Sequence, residues 1–134
     1  IKNIITAPER INKLITYKDD VYISSEYKNL INYYDNLALE DNCVQILTDE
    51  AALPFLLKKK TCTKFYHMFI GGPKKIQKKL IEELTLSKPN IILIKTEVLK
   101  YSVPPDRLKL VFNFINNNYS FHSKYKYWTF VKLN

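Results

Sequence analysis

Apolar residues along the 134-residue chain fall into short clusters whose spacing alternates between helical and extended periods. Tyr27, Leu30, Ile31, Tyr34 and Leu37 recur three and four apart, behind Ser24 or Ser25 as N-cap and Glu26 in the first turn. This predicts a helix over about 25–39. Cys43-Val44-Gln45-Ile46-Leu47 reads as a buried strand, and Thr48-Asp49-Glu50 after it as a helix start. The expected helix runs from Asp49 to Leu57, kinked or restarted by Pro54, with Lys58-Lys59-Lys60 at its cation-favouring end.

Phe65 to Ile70 reads as a second, aromatic-rich strand, broken by Gly71-Gly72-Pro73. The next helix carries Ile76, Leu80, Ile81 and Leu84 on one stripe and Lys74, Lys75, Lys78 and Lys79 on the rest. Lys88-Pro89-Asn90 closes it. The run Asn90-Ile91-Ile92-Leu93-Ile94 has the length and composition of a strand buried on both faces. Beyond Pro104-Pro105, Asp106 opens a helix with Leu108, Val111, Phe112 and Ile115 on its apolar side. Residues Tyr119 to Leu133 then alternate as a β-hairpin interrupted around Ser123-Lys124.

Helices and strands that take turns predict a three-layer α/β domain. Its sheet is expected to be mainly parallel and Rossmann-like, with helices on both faces and a C-terminal antiparallel hairpin. Residues 1–134 read as one soluble domain. Residues 1–40 stand as an N-terminal addition, of which 1–20 are the least regular: Pro8-Glu9-Arg10 with Ile11, Leu14 and Ile15 suggests a short helix, and Val21-Tyr22-Ile23 a strand or an extended lead-in.

Composition narrows the function more than it identifies it. Gly71 and Gly72 are the only glycines, so neither GxGxxG nor GxxxxGK[ST] occurs, and no cofactor is expected. A small stand-alone enzyme of nucleotide-binding fold is therefore the weakest reading. The first residue is Ile1 and the single methionine is Met68, which points to a segment of a longer protein. No apolar run reaches the roughly 18 residues of a membrane span, and no signal peptide is legible.

The formal net charge of +8 is carried almost wholly by lysine. Part of it is what Lys-, Asn- and Ile-rich usage in an AT-rich genome gives. Lys58, Lys59, Lys60, Lys64, Lys74, Lys75, Lys78 and Lys79 nonetheless fall within 22 positions that hold no acidic residue. Such a patch attracts phosphate, on anionic lipid or polyprenyl phosphate or, less favoured, on nucleic acid. A solvated helix face is the plainer reading. Phe65, Tyr66 and Phe69 nearby offer rings for base stacking and suit a sheet core equally well.

Candidate chemistry is sparse. Asp49 and Glu50 stand at the carboxyl end of the first strand, where open α/β sheets bind ligands, although helix capping accounts for them too. Lys64 and His67 complete a speculative ligand set. His67 and His122 are isolated, and no metal-ligand spacing exists. Cys43 and Cys62 each sit at or just before the start of a proposed strand. Parallel neighbours would bring them within disulfide reach, while two separate buried thiols are the preferred alternative.

Several stretches share a pattern: Thr48-Asp49-Glu50-Ala51-Ala52-Leu53-Pro54-Phe55-Leu56-Leu57-Lys58, Thr63-Lys64-Phe65-Tyr66, Ile76 to Leu84, and Lys88-Pro89-Asn90-Ile91-Ile92-Leu93. With Phe114 to Tyr119 and Trp128 to Val131, they resemble the soluble C-terminal domain of bacterial polytopic glycosyltransferases of the dolichyl-phosphate-mannosyltransferase-like (GT-C) type. The resemblance covers about residues 43–133. Lys58 stands where those domains usually carry glycine, and Cys62 where many carry proline. It implies a domain on the extracytoplasmic (periplasmic) face of a bacterial inner membrane, packed on the transmembrane part of a parent enzyme. That enzyme would use a polyprenyl-phosphate sugar and keep its catalytic carboxylate in its membrane part. The domain itself is then expected to be non-catalytic, assisting donor or acceptor binding. A small basic nucleic-acid-binding module is the alternative.

Overall fold

Chain register explains how the sheet forms. In the computed structural model, which describes residues 11–12, 22–37, 41, 43–48, 50–66, 72–95 and 105–134, the strands are β1 (Cys43–Leu47), β2 (Lys60–Thr61), β3 (Ile91–Lys95), β4 (Tyr119–Tyr125) and β5 (Trp128–Leu133). They lie in the order β2-β1-β3-β5-β4. Helices are α1 (Ser25–Asn36), α2 (Leu53–Leu56), α3 (Lys74–Ser87) and α4 (Lys109–Asn118), the last preceded by a 3₁₀ turn at Pro105–Leu108.

Alternation sorts the side chains between two faces. Val44 and Ile46 of β1, Ile91 and Leu93 of β3, and Trp128 and Phe130 of β5 pack with Leu30 and Tyr34 of α1 and with Leu53 and Leu57 around α2. Leu47, Ile92 and Ile94 face the other way, onto Leu80 and Leu84 of α3 and onto Leu108, Val111 and Ile115. Ile91, Ile92 and Leu93 are each at most 1 % exposed, which is what an unbroken aliphatic run requires of a central strand.

The sheet is open and mixed. β1 pairs in parallel with β2 and β3, whereas β5 pairs antiparallel with both β3 and β4. The long ladders are the antiparallel ones, since β2 contributes only Lys60 and Thr61. The expectation of a mainly parallel sheet thus holds for β2, β1 and β3 alone. The C-terminal hairpin supplies the antiparallel edge, with β4 outermost and β5 paired directly to the central strand.

Three further expectations change for local reasons. Of the strand foreseen at 65–70, Phe65 and Tyr66 are not in a strand and 67–70 lie outside the described residues; β2 comes earlier, and beyond it the Thr63 hydroxyl accepts the Phe65 N–H at 3.1 Å. The helix foreseen from Asp49 shrinks to α2, because the Thr48 hydroxyl accepts the Glu50 N–H at 3.0 Å in a tight local turn, and Pro54 restarts the helix. The hairpin reverses at Lys126-Tyr127, with Tyr125 paired to Trp128. The interruption near Ser123 is a register shift between Phe121 and Ser123, not the turn.

Two buried amide side chains, Gln45 and Gln77, hold segments together. Gln45 of β1 accepts from the Thr63 hydroxyl at 2.8 Å and donates to the Phe65 carbonyl at 3.1 Å. Gln77 of α3 donates to the carbonyls of Gly72 (2.7 Å) and Arg107 (3.2 Å) and accepts the Leu110 N–H at 3.0 Å.

Candidate functional site

β1 and β3 both end at the carboxyl edge of the sheet, and that edge carries a largely buried ion pair, Lys95 with Glu50. The Thr48 turn throws Glu50 back over the face that α1 covers. Helix α1 begins there, its Ser24 hydroxyl accepting the Tyr27 N–H. Tyr27, in the first turn, therefore faces Glu50 and donates its phenol proton to Oε2. Lys95, the last residue of β3, pairs with Oε1 of the same carboxylate. Its ammonium also lies 5.2 Å from the ring centroid of Trp128, the residue opposite it on β5.

The side chains of Lys95 and Glu50 are only 11 % and 14 % exposed, so each charge depends on the other for solvation. Burial first, and then the hydrogen bond and charge of Glu50, push the Tyr27 phenol well above its ordinary range. Tyr27 is thus a fixed proton donor at neutral pH and no nucleophile. A cavity of about 300 Å³ opens beside the pair, lined by Tyr22, Ile23, Ser24, Tyr27, Glu50, Ala52, Leu53 and Leu56. Ionised carboxylates offer about four lone-pair directions, and Tyr27 and Lys95 occupy two of those on Glu50. The remainder, with the Tyr27 oxygen as acceptor, suits the hydroxyl groups of a neutral polar ligand.

Of the residues singled out from sequence, Glu50 belongs to this cavity. Asp49 and His67 lie outside the described residues. Lys64 is not brought to Glu50: it pairs with Glu83 of α3 at 2.5 Å and packs 5.3 Å over the Phe65 ring, on the opposite side of the sheet. Burial opposes and Lys64 outweighs it, so the Glu83 carboxyl is held below its usual range. Sequence reasoning missed Tyr27 and Lys95. Tyr27 fitted an apolar helical stripe; Lys95 was legible only as a charge ending an aliphatic strand at the ligand-binding edge.

The lysines do not form one patch. Lys58 and Lys60 are exposed around the end of α2, while Lys59 donates to the Asp41 carbonyl at 2.8 Å. Lys74, Lys75, Lys78 and Lys79 are exposed along α3, which packs on the other sheet face. The end of α3 that neighbours Thr61–Lys64 is its C-terminus, Glu83 to Ser87. At ~1.5 Å of rise per residue, Lys74 stands about 20 Å further along the helix.

Cys43 and Cys62 form a disulfide, with Cα atoms 4.9 Å apart. Parallel pairing of Cys43 with Lys60 and Val44 with Thr61 delivers Cys62 beside Cys43, so the two separate thiols preferred from sequence do not exist. No set of three His, Cys, Asp or Glu side chains among the described residues could hold a metal ion, and no described helix is long and apolar enough to cross a membrane. No family model, no curated protein and no solved structure matches the chain.

Proposed function

We propose that this chain is the extracytoplasmic accessory domain of a membrane glycosyltransferase of GT-C type, which binds part of the sugar donor or acceptor and leaves the chemistry to the membrane part of its parent. The observation that carries this reading is the Cys43–Cys62 disulfide, because such bonds persist in oxidising compartments and are rare in the cytosol. The backbone at Lys58 supports it independently. This residue stands where the resembled domains usually carry glycine, and its φ is 52°, the left-handed region that glycine favours. The carboxyl-edge cavity, where the remaining Glu50 lone pairs and the Tyr27 oxygen are acceptors for ligand hydroxyls, has the chemistry of a sugar hydroxyl site. The parallel half, β2-β1-β3, is the Rossmann-like portion that creates this edge.

The nucleic-acid alternative loses its main support when the lysines separate onto two faces of the sheet. Acid-quenched whole cells, alkylated before and after reduction, test the leading reading. Mass spectrometry should find Cys43 and Cys62 linked in freshly quenched cells. Finding both as free thiols there would remove its foundation.

A further inference from the structure

Helix α2 is four residues long and presents its two sides to opposite environments. Leu53 is fully enclosed in the core, whereas Phe55 is 81 % exposed. A single exposed apolar side chain is ordinary, and a contiguous apolar surface is what marks a contact site. Phe55 is not isolated. Ile23, Pro54, Phe55 and Leu56 line an apolar groove of about 450 Å³, whose remaining wall is Lys58 and Lys59. Exposed Lys60 follows directly, and no acidic side chain lines the groove.

We propose that this corner is a membrane anchor, in which Phe55 enters the headgroup–acyl boundary of an anionic bilayer and Lys58 and Lys60 contact lipid phosphates. Apolar bodies rimmed by lysine match that interface in both hydrophobicity and charge. Lys58 and Lys60 have long apolar stems that let the ammonium groups stay at headgroup level while the ring sits deeper. The size of the surface argues against a stable protein partner. Seven groove and rim residues are far fewer than the roughly 20 a side of a standard protein interface, but one aromatic and two cations are enough for reversible attachment to lipid. The proposal rests on the membrane-side reading above, and it fixes which face of the domain meets the bilayer.

The test uses the 134-residue chain and vesicles of phosphatidylglycerol mixed with phosphatidylcholine, compared with phosphatidylcholine alone. The chain should float with the anionic vesicles and release them as salt screens the lysines. Phe55→Ser should weaken partitioning about tenfold, and Lys58→Glu with Lys60→Glu by a similar factor. Since Phe55 is exposed, these variants should keep the wild-type melting curve. Phe55→Trp supplies a direct reporter. Trp128 is 2 % exposed and gives a lipid-independent background, so a blue shift on vesicle addition, quenched by brominated acyl chains, locates residue 55 in the bilayer. Absence of flotation overturns the proposal, and so does flotation unaltered by Phe55→Ser. Self-association abolished by Phe55→Ser, without lipid binding, would reassign the face to a second copy of the chain. A linked Cys43–Cys62 pair in cells together with no lipid binding would sink this anchor and leave the accessory-domain reading in place.

Discussion

Lys95 and Trp128 stand opposite each other across the β3–β5 ladder, and the Lys95 ammonium bridges the indole face to the Glu50 carboxylate. This contact ties the carboxyl end of the central strand to the turn after β1 and, through Tyr27, to the first turn of α1. Three separate chain segments thus meet on one carboxylate. Because that carboxylate is almost enclosed, its environment is set by the protein and not by water.

Removing one member of the pair should therefore cost more than a surface ion pair is worth. Lys95→Met leaves Glu50 enclosed without its cation, and a loss of about 3 kcal/mol is expected. Glu50→Gln should cost less, since a neutral amide still accepts from Tyr27 and strands only Lys95, which keeps its indole contact. The double variant should recover part of the Lys95→Met loss. Urea denaturation of all four proteins gives the coupling directly; strictly additive losses would show that the pair does not hold these segments together.

The disulfide spans 19 positions and encloses α2, the segment that carries Phe55. Restricting a loop of this length in the unfolded chain is worth about 3 kcal/mol. Reduction, or replacing both cysteines with alanine, should lower stability by that amount. β2 has only two ladder residues to hold the outer edge once the bond is gone. Hydrogen exchange should accordingly show protection lost first at Lys60–Lys64. Uniform loss across β3 and β5 would contradict this.

Much of the architecture was legible because it follows from periodicity. Ile91 to Ile94 of β3 is an uninterrupted apolar run, β1 is apolar but for Gln45, and the α3 stripe buries Leu80 and Leu84 with Ile76 and Ile81 packed alongside. Gln77 was not legible as a core residue, since nothing in a helical stripe distinguishes an enclosed amide from a solvated one. The hairpin turn was misplaced because Lys126, with φ of 50°, occupies a position that Gly or Asn normally marks. The order of strands was beyond the sequence for a different reason. Alternating helices and strands fix which residues are buried, but β5 competes with the parallel strands for the free edge of β3. At the site, Glu50 was visible by its place after β1, whereas Tyr27 and Lys95 acquire their roles only from tertiary pairing.

Tyr34 gives the alkaline limit of stability. Its ring is 2 % exposed and its hydroxyl has no hydrogen-bond partner. Burial, then the charges of Asp41 and Asp35, raise the phenol from 10.0 to about 12. A raised folded value means that stability is fully present below the unfolded value and declines as pH climbs from about 10 through about 12. Tyr119, also raised to about 12 by burial and then Asp41, acts in the same window. Tyr34→Phe should shrink this decline, and at neutral pH it should be neutral or stabilising, because it removes an unpaired buried hydroxyl. Phenolate absorbance should show a late-titrating fraction that the variant reduces. Titration of every tyrosine near 10 in the folded chain would contradict the enclosure of both rings.

Gln77 is the best single test of how α3 and α4 are joined. Its amide is the only described side-chain link that bonds Gly72, Arg107 and Leu110 at once, and it sits 4 % exposed between the two helices. Gln77→Leu fills the same space but leaves two carbonyls and one N–H without this partner. Each such group costs on the order of 1 kcal/mol or more where water cannot replace it, so a loss of about 2 kcal/mol is expected. Gln77→Glu separates packing from hydrogen bonding. A carboxylate still accepts from Leu110 but cannot donate, and it faces two carbonyl oxygens at close range. The variant should therefore be less stable than Gln77→Leu at neutral pH and should regain stability as the pH is lowered and the carboxyl takes up a proton to donate. Denaturant midpoints of the two variants across that range decide the matter. A Gln77→Glu protein as stable as the parent at neutral pH would mean that the α3–α4 junction is held by apolar packing alone.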